Sequence, residues 1–152
     1  MRVFVDADSF PCNLREILFR AAERLKIPLV MAANSCTKIP VSKYISTIQV
    51  KSEPDAADDY IVGQLEKGDL VITGDIPLAY RVVGKGGFAI NPRGELYDET
   101  NVKQKLAIRD LMDELRNTGL VTGGPSGFRQ KDKQAFANQL NKFLEKQCRN
   151  NA

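Results

Sequence analysis

Short apolar runs rich in β-branched residues fall at residues 3–5, 28–31, 47–50, 70–73 and 88–90. Most are nearly continuous rather than alternating, which suits parallel strands covered on both faces. Between them the spacing turns helical. Leu14, Ile17, Leu18, Ala21, Ala22 and Leu25 predict an amphipathic helix over 12–25. Ala57, Ile61, Val62 and Leu65 predict a second, with Pro54-Asp55 as its start signal. Pro77, just after Asp75, suits the first turn of a short helix running to 83. Val102, Leu106, Leu111, Met112 and Leu115 predict a longer helix, and Phe136, Leu140, Phe143 and Leu144 the last.

Strands alternating with helices predict an α/β layered domain around a mainly parallel sheet. Ligands of such sheets bind beyond the carboxyl ends of the strands. Asp6, Asp8 and Asp75 fall at those ends. Residues 91–94, Asn-Pro-Arg-Gly, read as a tight turn. The glycine-rich stretch 122–127 reads as a joint between the last two helices.

With 152 residues and ordinary globular composition, one domain over 1–152 is the economical expectation. Residues 101–152 would form its basic helical C-terminal part. That part holds 10 Lys/Arg against 5 Asp/Glu, whereas residues 1–100 hold 12 against 14. A basic part beside an acidic body could present phosphates to a cation site, or simply face water. No apolar run is long enough for a membrane span, and the N-terminus has no signal-peptide pattern. Three scattered cysteines, Cys12, Cys36 and Cys148, suit a reduced, cytoplasmic setting. The chain has no histidine, which excludes Ser/His/Asp and Cys/His catalysis and makes a zinc site improbable.

Carboxylates remain as the candidate chemistry. Rigidly held oxygen ligands are what Mg²⁺ or Mn²⁺ requires. Asp6 and Asp8 share a face if the first strand continues through them, although Asp8 could instead cap the helix that Pro11 helps to start. Asp55 suits an N-cap. Asp58 lies inside the apolar arc of its helix and Asp59 outside it, at about 100° per residue. An aspartate on a buried face is costly unless paired or metal-bound. Asp75 closes a strand and could also cap the next helix, while Thr73 and Gly74 leave room for a ligand near the backbone. Lys38, Lys43 and Arg93 are the candidate phosphate-binding cations. No phosphate-cradling or dinucleotide-binding glycine motif occurs.

The motifs Val5-Asp6-Ala7-Asp8, Asp55-Ala56-Ala57-Asp58, the run 72–79, Asn91-Pro92-Arg93-Gly94 and Thr122-Gly123-Gly124-Pro125 resemble, in this order, the bacterial YaiI/YqxD family. The resemblance covers essentially the whole chain. That family has no established activity. It is grouped by resemblance with PIN-like domains, many of which are metal-dependent nucleases. The resemblance implies a three-layer PIN-like α/β domain with C-terminal helices. It also implies an acidic site of Asp6, Asp58 and Asp75, with Asp8 as a fourth acid, holding Mg²⁺ or Mn²⁺. RNA or structured DNA would be the substrate. Two features depart from the pattern: the second acid is an aspartate where related nucleases often use glutamate, and no aromatic-rich basic stripe is evident.

Two other readings compete. One is a non-catalytic nucleic-acid- or protein-binding module that keeps a vestigial acidic pocket. The other is a phosphatase, since Asp6-Ala7-Asp8 resembles the first motif of haloacid-dehalogenase-like enzymes and Thr73 could be their phosphate-binding threonine. Those enzymes place their paired metal-binding acids after that threonine, whereas Asp58-Asp59 precedes it here.

Overall fold

A computed structural model describes residues 1–34, 38–53, 55–119 and 130–150. Cys36, Pro54 and the glycine-rich joint 122–127 lie outside the described residues. In chain order the elements are β1 (Val3–Asp6), α1 (Arg15–Leu25), β2 (Leu29–Ala33), β3 (Ile45–Gln49), α2 (Ala56–Gln64), β4 (Leu70–Ile72), α3 (Ile76–Gly84), β5 (Phe88–Ile90), β6 (Leu96–Tyr97), α4 (Val102–Asn117) and α5 (Gln130–Asn150).

Among the described residues the strands form one sheet in the order β3-β2-β1-β4-β5-β6. The first five pair in parallel, and β6 runs antiparallel to β5. This is a three-layer PIN-like α/β domain. Period-2 geometry sends alternate strand residues to opposite faces. Val3, Val5, Leu29, Met31, Leu70 and Ile72 pack with α1 and α5, burying Leu18, Phe136, Leu140 and Leu144. Phe4, Ala32, Val71 and Ala89 pack with α2, α3 and the start of α4, burying Ile61, Leu78, Val82 and Val102. Phe10 meets Phe136 with ring centroids 5.6 Å apart and fastens α5 beside the end of β1.

From β1 the chain proceeds outward to β2 and β3, then returns to β4 on the other side of β1. The strand order therefore reverses between β1 and β4. At such a switch point adjacent connections leave in opposite directions and open a crevice at the carboxyl edge.

Local chemistry sets several boundaries. Asp6 ends β1 because its ψ of 86° leaves the extended region, and Ala7–Ser9 follow as a 3₁₀ turn. A second 3₁₀ turn, Cys12–Leu14, precedes α1, so the α-helix starts at Arg15 rather than residue 12. The apolar pattern of α4 is only partly used. Val102 is buried, whereas Ile108 and Leu111 are 53% and 55% exposed. No described helix is long and apolar enough to cross a membrane.

Candidate functional site

Asp6 stands at the carboxyl end of β1 and is 6% exposed. Its neighbour at the end of β4 is Thr73, which is fully buried. The Thr73 hydroxyl donates to Asp6 Oδ2 at 3.3 Å and accepts from the Asp75 N–H at 3.0 Å. One hydroxyl thus uses its donor and an acceptor site to join the two acids. Thr73 was expected to touch a ligand; its burial puts it behind the acids instead.

Asp75 occupies the N-cap of α3, and its Oδ1 accepts from the Leu78 N–H at 3.2 Å. It caps the helix and also borders the cleft described below. Asp8 lies in the 3₁₀ turn, so the strand does not carry it onto the face of Asp6. Nor does it cap the helix after Pro11. Its Oδ2 accepts from the Asn34 N–H at 2.9 Å, tying the turn after β1 to the end of β2.

Asp58 comes from α2, on the face that buries Ile61. It is 9% exposed, and among the described residues no hydrogen bond reaches its carboxylate. Burial pushes its pKa up to about 6, and the charges of Asp75, Asp6 and Asp55 push the same way, with Arg81 opposing them. The contrast with Asp69 is instructive. Asp69 is also buried, but it accepts from the N–H groups of Arg2 and Glu66, both at 2.9 Å. Buried polar groups are normally satisfied in this way. Asp59, one residue on, is exposed and pairs with Arg81 at 3.0 Å. Asp55 sits at the N-cap position with a φ of 63° and makes no side-chain cap.

Asp6, Asp8, Asp55, Asp58 and Asp75 all border one open cleft of about 190 Å³ at the switch point. Lys51, just past β3, is the cation on its border among the described residues. The strand-end rule that singles out Asp6 also selects Lys51 and Asn34, which follow β3 and β2.

The basic candidates lie elsewhere. Arg93 is fixed in its turn by its N–H, which donates to Asn91 Oδ1 at 2.9 Å, and its guanidinium stands 3.8 Å from Asp132 of α5. It faces α5 and does not border the cleft. Lys43 precedes β3, at the amino edge of the parallel sheet, where its Nζ lies 5.1 Å from the Tyr44 ring centroid. Lys38 is exposed and also absent from the cleft border.

Among the described residues the donor chemistry fits a hard divalent cation: carboxylate oxygens at an open cleft, that of Asp58 accepting no hydrogen bond, and no sulfur or imidazole on its border. The spacing is open. Among the described residues no three acidic or thiol side chains are arranged to hold an ion as they stand.

A family model described as "Uncharacterized BCR, YaiI/YqxD family" matches residues 4–146. The chain belongs to the YaiI/YqxD family. It is 56% identical over 143 residues to a UPF0178 protein of Shewanella baltica (strain OS223), covering 94% of this chain and 95% of that one. A UPF0178 protein of Hahella chejuensis is 52% identical over 146 residues, covering 96% and 97%. Neither the YaiI/YqxD description nor those names assigns a reaction.

Proposed function

We propose that this YaiI/YqxD protein is a PIN-like, divalent-metal-dependent phosphodiesterase or nuclease acting at the acidic cleft. The observation that carries this reading is Asp58, a nine-tenths buried residue whose carboxylate accepts no hydrogen bond among the described residues and shares the cleft border with Asp6, Asp55 and Asp75. A fold tolerates such a group when a ligand compensates it.

Asp6, Asp58 and Asp75 would hold Mg²⁺ or Mn²⁺, with Asp8 at the rim. Such an ion polarises a phosphoryl oxygen and lowers the pKa of bound water. The remaining work belongs to the chain. Thr73 fixes Asp6 and the start of α3, so that two of the acids keep their separation. Asp58 supplies a carboxylate that burial and the neighbouring acids push up to about 6, so that a bound cation would favour its charged form. Lys51 offers positive charge at the rim for a substrate phosphate.

The open spacing of the acids favours a second reading, a binding module whose acidic pocket no longer performs chemistry. The phosphatase alternative loses support, because the Thr73 hydroxyl is buried and committed to Asp6 and Asp75.

Calorimetric titration with Mn²⁺ and a Mn²⁺-dependent cleavage assay on single-stranded RNA and flap DNA test both readings. Binding and cleavage in the wild type, both lost in Asp75→Asn, are expected. Metal binding without cleavage of any phosphodiester moves the assignment to the binding module.

A further inference from the structure

The sequence shows no aromatic-rich basic stripe, but the fold assembles a compact equivalent. A groove of about 490 Å³ opens between α3 and α4, larger than the acidic cleft. Gly84 and Val102 line it alongside Tyr80, Arg81, Lys103 and Glu99. Tyr80 is 41% exposed. Lys103 is exposed and enters no ion pair among the described residues. The groove and the acidic cleft share one helix: α3 is capped by Asp75 and carries Tyr80 about 7.5 Å further along its axis, at 1.5 Å per residue. Arg81 spans the two, since it borders the groove, pairs with Asp59 and acts electrostatically on Asp58.

We propose that the groove between α3 and α4 binds a single-stranded nucleic acid, with one base stacking on Tyr80 and neighbouring phosphates meeting Arg81 and Lys103. This deepens the phosphodiesterase reading and rests on it, by naming the track along which the substrate leaves the cleft. The chemistry is that of sequence-tolerant single-strand binding, an exposed aromatic face beside cations that follow the backbone. A polyanion carrying flat bases uses Tyr80, Arg81 and Lys103, with Glu99 the one acid on the groove's border among the described residues. A peptide would use the apolar surface and leave Lys103, which enters no ion pair among the described residues, without a role. Duplex bases are already stacked and offer Tyr80 no face.

Gly84 supplies a clean probe. A Cβ built there meets nothing within 4 Å, so Gly84→Leu fills the groove without touching the acids. The experiment is fluorescence anisotropy in EDTA with a labelled single-stranded RNA, a DNA of the same sequence and the corresponding duplex. Tyr80→Ala and Gly84→Leu are each expected to weaken single-strand binding about tenfold, within the range of one lost base stack. Tyr80→Phe should retain it. Lys103→Glu should weaken it and flatten its salt dependence. Arg20→Ala, on the opposite face of the sheet, is the control. The tighter of the two single strands names the natural one.

Wild-type affinity in both Tyr80→Ala and Gly84→Leu, or duplex binding as tight as single-strand binding, overturns the proposal and leaves the groove to another occupant, a peptide included. If Gly84→Leu fails to fold, the exposed Tyr80 and Lys103 variants carry the test. Cleavage that keeps its wild-type KM in the groove variants overturns the groove alone. Groove-dependent binding in a chain that never cleaves overturns catalysis alone.

Discussion

Thr73 donates its hydroxyl to Asp6 Oδ2 at 3.3 Å, inside the core where β4 and β1 end side by side. The Asp75 N–H in turn donates to the Thr73 hydroxyl oxygen at 3.0 Å. A side chain that no ligand can reach therefore sets the spacing of two acids that a ligand can.

Thr73→Val tests that role. Valine has nearly the same shape but leaves the Asp75 N–H without its acceptor. A buried unsatisfied group costs about 1–3 kcal/mol, so urea unfolding should show a loss of that order. Thr73→Ser keeps the hydroxyl and should lose less, despite a missing methyl group. If serine costs as much as valine, packing rather than the hydrogen bond holds this corner.

Asp58 gives the protein a pH-dependent stability of known sign. Burial and the neighbouring acids push its folded pKa up to about 6, against 3.8 for a free aspartate. Between those values the unfolded chain has released its proton and the folded chain has not. The folded state then binds more protons, so stability falls as pH rises through the window. The benefit is fully present below about pH 4 and gone above about pH 6. Its size is on the order of 2–3 kcal/mol. Asp58→Asn should remove this slope and be the more stable protein at neutral pH without metal. Denaturation series from pH 4 to 8 for both proteins measure it, and parallel curves would show that Asp58 ionises in the fold as freely as in water.

Two glycines make opposite predictions. Gly94 has a φ of +88°, and a Cβ there would lie 2.6 Å from both the carbonyl carbon and oxygen of Ala135 in α5. Gly94→Ala forces backbone away from backbone and strains a left-handed residue, so a loss of about 3 kcal/mol or more is expected. Gly63 lies inside α2 with nothing within 4 Å of its would-be Cβ. Gly63→Ala should gain roughly 0.5–1 kcal/mol. Thermal melts of the two variants should therefore move in opposite directions.

The layered fold was legible because its strands are continuous apolar runs and its helices keep their spacing. The face of Asp58 was legible for the same reason, since a helical phase fixes which side a residue takes. Three things were not. β6 is two residues long and takes its identity from pairing with β5. The apolar positions of α4 announce an amphipathic face but do not say whether anything covers it, and Leu111 remains exposed. The partner of Arg93, Asp132, is 39 residues away and invisible to any local pattern. Lys43 illustrates a simpler limit: a lysine next to a strand lies at either edge of the sheet depending on which end it flanks.

The sharpest test compares adjacent residues. Asp58 and Asp59 share chemistry, helix and sequence position to within one residue. The first is nine-tenths buried at the cleft; the second is exposed and paired with Arg81. Exposed ion pairs contribute at most about 1 kcal/mol, so Asp59→Ala should leave folding and most phosphodiester cleavage intact. Asp58→Ala should abolish cleavage and Mn²⁺ binding, because the carboxylate it removes is the one the fold leaves without a partner. Its stability without metal should not fall at neutral pH, since the relief of charge repulsion offsets the lost packing. Cleavage on single-stranded RNA and Mn²⁺ titration of both variants measure this. Equal loss of activity in the two would mean that Asp59 reaches the substrate or metal after releasing Arg81. Equal retention would remove Asp58 from the site and, with it, the observation on which the catalytic reading rests.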